Sequence, residues 1–279
     1  LSNYKNLKKN CLFVSSGDYK LIPLEILNIK AFEHCGYKSY ILIPRDKKLK
    51  KIFFNFGINN LIFWDEFSSK FSYLKLFNIF SSLKNFDDIK NLNQNDIKYG
   101  KYVYSTLIRK YNKLNFNLSN FNDKNITIFH IYKSLIFQGS IKKIFTKIKP
   151  DILYLGETTY TPVGDLFDYA IDQNTEVVAF HLAHKNNSTI YKKYSKKNRS
   201  EHPYGLSKET WNLAKNIKWS NFLKSAVDEE LFESYKSNQW YSSQATAVKT
   251  QLFDKDKLKK KLSIMDNKKV AIIYPNIFW

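Results

Sequence analysis

Short apolar runs alternate with segments of helical spacing from the start of the chain, the pattern of β-α-β units around a parallel sheet. Cys11 to Ser16 reads as a first strand, Tyr40 to Ile43 as a second and Leu61 to Trp64 as a third. Pro23 opens a helix between the first two, with Leu24, Leu27, Ala31 and His34 as its predicted inner face and Gly36 as its left-handed cap. Asp46 to Phe56 predicts a Lys-rich helix closed by Gly57. From 68 to 150 the strand pattern lapses, and helical spacing recurs around 71–83, 99–114 and 131–148. The Asn- and Asp-rich stretches between them, 84–96 and 115–125, read as loops. This predicts a helical insertion.

The alternation returns with the strands Ile152 to Leu155 and Val177 to Phe180. Between them Thr161 is expected to cap a helix with Pro162 in its first turn, because Val163, Leu166, Phe167, Ala170 and Ile171 repeat at helical spacing. A polar, basic stretch from 181 to 204 follows, then helical segments near 207–217, 228–235 and 256–262, and a last apolar run, Val270 to Tyr274. The expected fold is α/β, a Rossmann-like parallel sheet flanked by helices. The predicted first domain is 1–205 with its insertion at 68–150, a helical linker is 206–267, and 268–279 is the first strand of a further domain. The chain starts at Leu1, its one methionine is Met265, and it stops soon after that strand, so it reads as a fragment.

Composition changes this picture little. No apolar run approaches the roughly 18 residues of a membrane-spanning helix, and no basic-then-apolar leader opens the chain, which points to a cytoplasmic protein. The formal charge of +20 suggests a phosphate-binding surface. Yet 42 of the 45 basic residues are Lys, accompanied by 28 Asn, and this bias runs along the whole chain as A+T-rich codons would produce. Readers of nucleic acid lean on Arg, whose planar fork matches phosphate and base edges, so no nucleic-acid partner is expected. The two cysteines, Cys11 and Cys35, fall in elements that read as core, and no metal site is expected.

Candidate chemistry gathers where ligands bind in open parallel sheets, outside the carboxyl ends of the strands. Gly17 and Asp18 follow the first strand, Glu157, Thr158 and Thr159 the fourth, and His181 the fifth. Asp18 and Glu157 are candidate general bases toward a hydroxyl nucleophile; a helix-capping role is the plainer alternative for each. His181, His184 and His202 lie within 22 residues of one another, together with Lys185, Asn187 and Arg199. That group suits an anionic or hydroxyl-rich ligand, and His184 is a third candidate base. Arg199 stands out among only three arginines as a candidate bidentate contact, ahead of Arg45 and Arg109. There is no Walker loop, no GxGxxG and no nucleophile elbow.

The order Lys197-Asn198-Arg199, His202-Pro203, Leu206-Ser207, Trp211, Ser234-Tyr235-Lys236-Ser237, Trp240-Tyr241 and KKVAIIYPNIFW from Lys268 resembles bacterial capsule and surface-polysaccharide glycosyltransferases of the GT-B type, most clearly over 151–279. The resemblance implies two facing Rossmann-like domains, with this chain as the acceptor-side half and 268–279 as the start of the donor-binding half. It implies a nucleotide sugar as co-substrate, no bound cofactor or metal, and a glycan or lipid-linked glycan as acceptor. A base after an early strand is also implied, which Asp18 matches by topology, with Glu157 and His184 as competitors.

Other readings of the same fold are polyol-phosphate transfer of the teichoic-acid type and nucleotide-sugar epimerisation. A basic module binding membrane or nucleic acid is a further alternative. Lys47, Lys48, Lys50 and Lys51 with Phe53 and Phe54 form an expected peripheral contact with the anionic inner membrane.

Overall fold

The computed structural model describes residues 9–68, 73–94, 97–183, 188–237 and 255–263. Two compact units are distinguished, one of residues 1–181 with 191–203 and the other of 182–190 with 204–279. In chain order the first β-α-β-α-β run is β1 (Asn10–Val14), α1 (Ile22–His34), β2 (Lys38–Ile43), α2 (Lys47–Asn55) and β3 (Leu61–Phe63). The insertion holds α3 (Tyr73–Ser81), a 3-10 turn (Phe86–Asn91), α4 (Tyr99–Tyr111) and α5 (Phe121–Ile148). Then come β4 (Ile152–Leu155), α6 (Val163–Asp172), β5 (Glu176–Leu182) and β6 (Thr189–Tyr194).

The six strands are ordered β3-β2-β1-β4-β5-β6. All pairings from β3 to β5 are parallel, with Val14 opposite Leu42 on one side and Leu155 on the other. The connection from β5 to β6 is too short for a parallel crossover, so β6 returns as a hairpin at the edge. This is the doubly wound Rossmann-like arrangement expected from the sequence.

Strand residues alternate between two buried layers, because a parallel sheet is covered on both faces. Leu12, Val14, Leu153 and Leu155 face α5 and α6 through Ile144, Ile148, Leu166 and Ile171. Cys11, Phe13, Ile41 and Tyr154 face α1 and α2 through Ile26, Ile29, Leu49 and Phe53. The insertion has its own core, built on Ile89, Tyr99, Val103, Leu107, Phe116 and Ile131. The long α5 joins the two, its first half packed in the insertion and its second half on the sheet. His130 belongs to that packing: it is buried, its Nε2 lies 3.2 Å from the Tyr111 hydroxyl, and burial pulls its pKa down to about 4.

In α1 the buried face is Ile22, Glu25, Ile26 and Ile29, whereas Leu27 is 66% exposed and His34 lies in solvent. Of the expected inner face only Leu24 packs against this core, at the margin of the isoleucine stripe, and Ala31 is exposed. Cys35 is exposed at the helix end instead of packed. The stretch 84–96 contains the 3-10 turn, closed by a reciprocal Asn85–Asp88 capping box, and α5 begins inside the expected second loop, at Phe121, with Asn120 as its cap. The basic stretch 181–204 hides β6, whose alternation is masked because one of its two buried positions, Lys192, is itself a lysine. Thr161 does not cap α6; Pro162 takes that position and Thr161 turns its hydroxyl to the Asp165 carboxylate.

The second unit contains α7 (Lys208–Lys215), α8 (Asn221–Ser237) and α9 (Lys255–Lys261). The expected donor-side strand at 268–279 lies outside the described residues. Among the described residues no helix is long and apolar enough to cross a membrane.

Candidate functional site

The order of the strands reverses between β1 and β4, and the carboxyl ends of two strands at such a reversal are the usual ligand position in open sheets. Because Val14 pairs with Leu155, the loops 15–21 and 156–162 start side by side. Gly17 and Asp18 lie on one, Glu157, Thr158 and Thr159 on the other.

The β1 loop is organised by a carboxylate that no motif in the sequence marks. Glu25, buried in the first turn of α1, accepts from Ser15 Oγ at 2.6 Å and from Ser16 N and Ser16 Oγ at 2.8 Å. Gly17 adopts φ +72°, and a Cβ there would lie 3.0 Å from Pro44, so the turn needs glycine on both counts. Asp18 is exposed; its carboxylate accepts from Lys20 N at 3.0 Å, and its carbonyl accepts from Leu21 N and Ile22 N. Gly17 N goes to Ser15 Oγ and Asp18 N to Ser16 Oγ. In dinucleotide-binding folds these amides and the positive end of the helix would cradle a phosphate. Here they are used within the loop, and Glu25 supplies the negative charge that the helix end favours.

The β4 loop offers a different carboxylate. Glu157 is partly buried, and its Oε1 accepts from both Thr158 N and Thr159 N at 2.7 Å. Its Oε2 takes no hydrogen bond among the described residues. Two amides on one oxygen fix the carboxylate in place, and a fixed carboxylate with its second oxygen spare is what a general base requires. Gly156 precedes it with the Phe180 ring 3.0 Å from where a Cβ would stand, so a larger residue there would push on β5.

His181 at the end of β5 is the electrostatic neighbour of Glu157. Burial holds its pKa below the usual histidine value, the Glu157 charge raises it, and a charged His202 lowers it. Tyr160 is affected in a related way: burial and Glu157 raise its pKa and Arg109 lowers it. The structure thus brings Glu157, Thr158, Thr159, His181 and His202 together, with Tyr160 and Arg109 at the same end. His202 is exposed, and its carbonyl accepts from Lys192 Nζ at 2.9 Å. Tyr160 carried no pattern of its own; only its place three residues after Glu157 could have marked it.

Arg199 is placed elsewhere. Its guanidinium pairs with Asp172 and lies 3.7 Å from the fully buried Asp168, which Lys101 also approaches at 3.1 Å. A scarce arginine does make a two-carboxylate contact, but both carboxylates belong to α6 of its own unit. Arg45 likewise pairs with Asp65 at 2.7 Å. His184, Lys185 and Asn187 lie outside the described residues. Among the described residues no group of His, Cys, Asp and Glu is arranged to hold a metal ion.

Beside the β4 loop, Asp165 is completely buried and accepts from Ser134 Oγ at 2.9 Å and from Thr161 Oγ1. Burial raises its pKa from 3.8 to about 7 against the lowering effect of those two bonds. Its folded pKa is the higher one, so its contribution to stability is present below pH 3.8 and lost as pH rises through 7. Asp165→Asn is therefore expected to flatten the fall in urea-unfolding free energy between pH 5 and pH 8. An unchanged slope would place the carboxylate in water instead.

No protein-family model, curated protein or solved structure matches this chain.

Proposed function

We propose that this chain is the acceptor-side part of a glycosyltransferase that moves a sugar from a nucleotide-sugar donor to a cell-surface glycan, in the first half of a GT-B fold. The observation that carries the reading is the pinned Glu157 carboxylate at the point of strand reversal, beside a β1 loop whose amides are already used. A diphosphate finds no cradle at that loop, whereas a hydroxyl-bearing acceptor finds a base and a set of threonine and histidine side chains. Glu157 Oε2 takes the proton of the acceptor hydroxyl. The freed oxygen bonds to the anomeric carbon of the donor, and the nucleoside diphosphate leaves with the electron pair of the broken glycosidic bond. His181, next to the carboxylate, keeps the site polar and orients the acceptor, with Thr158 and Thr159 as further hydroxyl partners.

The direct test is NMR of the chain with oligosaccharide fragments of bacterial surface glycans. Addition of a binding fragment is expected to shift the ring signals of His181 and His202 and leave that of the buried His130 in place. Shifts produced by nucleotide sugars at the same two rings, or by no glycan at all, would overturn the acceptor-side reading.

A further inference from the structure

Among the described residues of the second unit several large apolar side chains are exposed. Leu206, Trp211, Leu213, Ile217, Trp219 and Phe222 are each more than half exposed, and α7 buries none of its residues. Lys208, Lys215, Lys218 and Lys224 are interspersed among them, with Glu209 the one acid from 204 to 227. The next turn of α8 is the reverse, with Asp228, Glu229, Glu230 and Glu233. Lys215 holds its ammonium 5.8 Å from the Trp211 ring, so the cationic and aromatic groups occupy the same surface.

We propose that the segment 206–224 docks on an anionic lipid bilayer. Tryptophan and lysine in alternation suit the headgroup region, where an indole sits half in the apolar layer and an ammonium snorkels to phosphate. Apolar insertion and basic attraction together make the two signals that stable peripheral binding needs. The acidic turn that follows is repelled by the same surface, which limits how far α8 lies down. The apolar groups point to different sides of α7, since Trp211 and Leu213 are about 200° apart at 3.6 residues per turn. A bilayer takes one face of a helix, and the side of Trp211, which also carries Lys208 and Lys215, is the one that suits it.

Nucleic acid is disfavoured by the lack of arginine, the last of which is Arg199. The Lys-rich α2, the first expectation for a membrane face, is less suited, because Phe53 is fully buried and only Phe54 of the pair is exposed.

The test is co-sedimentation of the chain with vesicles of phosphatidylcholine alone or mixed with phosphatidylglycerol. Binding is expected only to the mixed vesicles, weakening with salt and moving tryptophan emission to shorter wavelength. Lys215→Gln with Lys218→Gln should lower partitioning about tenfold or more. Trp219→Ala with Phe222→Ala should lower it comparably, and because both residues are exposed the circular dichroism spectrum should stay unchanged. Gln at positions 47, 48, 50 and 51 should leave binding intact.

Equal binding to neutral vesicles, no binding, or loss only in the α2 variant would overturn the proposal. So would a concentration-dependent dimer that Trp219→Ala dissolves, which would assign the surface to a second copy. None of these outcomes bears on sugar transfer, so the two proposals fail separately.

Discussion

Glu157→Gln is expected to reduce sugar transfer in the intact protein by about 10²- to 10⁴-fold, the usual worth of a positioned general base. The substitution is chosen because the amide oxygen of Gln can still accept from Thr158 N and Thr159 N, the two bonds that hold Glu157 at 2.7 Å. The loop then stays in place while the proton acceptor is lost. A purely structural role for Glu157 predicts nearly full activity in this variant. A second readout separates the cases further: the Glu157 charge raises the pKa of His181, so the histidine should titrate lower in the variant, as NMR would detect. Asp18→Asn is expected to leave transfer close to wild type, since the exposed carboxylate serves a local turn to Lys20 N. Loss of transfer in Asp18→Asn with full activity in Glu157→Gln would move the base to the β1 loop.

Gly100→Ala should be the most damaging single methyl in the insertion. A Cβ at this position would stand 1.9 Å from the Ile89 carbonyl oxygen and 2.7 Å from Leu92 N, both backbone atoms at the end of the 3-10 turn. Backbone cannot rotate away as a side chain can, so α4 and the turn must separate, and the buried Ile89 and Val103 between them lose contact. Overpacking of this kind costs about 1–3 kcal/mol or more. That outweighs the roughly 1 kcal/mol that Ala gains over Gly within a helix. Gly57→Ala is the control: its φ is +71° but the nearest atom is the flexible Lys30 Nζ at 3.8 Å, so only the cost of a left-handed backbone is expected. Urea unfolding followed by circular dichroism compares the two. Wild-type stability in Gly100→Ala would mean that the turn does not seat on α4.

Much of the first unit was legible because the rules that apply are local. A strand buried on both faces must be apolar throughout, and the runs at Cys11, Ile41 and Ile152 are. Amphipathic α6 shows its inner face at helical spacing, and Leu166, Phe167, Ala170 and Ile171 are buried as expected. Left-handed Gly36 and Gly57 mark their turns. Where two local solutions existed, the sequence could not choose between them. Helix α1 carries apolar residues around much of its circumference, and only the shape of the sheet selects the Ile22–Ile26–Ile29 stripe, with Leu24 at its margin and Leu27 left in solvent. Burying that stripe also buries Glu25, a cost met by the three bonds from Ser15 and Ser16, groups ten and nine residues earlier in the chain.

The candidate site divides along the same line. Its position followed from strand order, and the polar residues at the strand ends were visible as such. Which of them meet was a matter of distance across the sheet. Glu157 and His181 are 24 residues apart in the chain and become neighbours only because β4 and β5 pair in parallel register. Arg199 shows the opposite case, since its scarcity marked it for an anion, and the fold supplied Asp168 and Asp172 from its own α6. The sequence by itself determined the α/β class, the helical insertion and the set of polar groups at the strand ends, because each depends on spacing within one element. Tertiary structure alone decided which helix stripe is buried, which carboxylate is pinned and which arginine is already paired, because those depend on contacts between elements far apart in the chain.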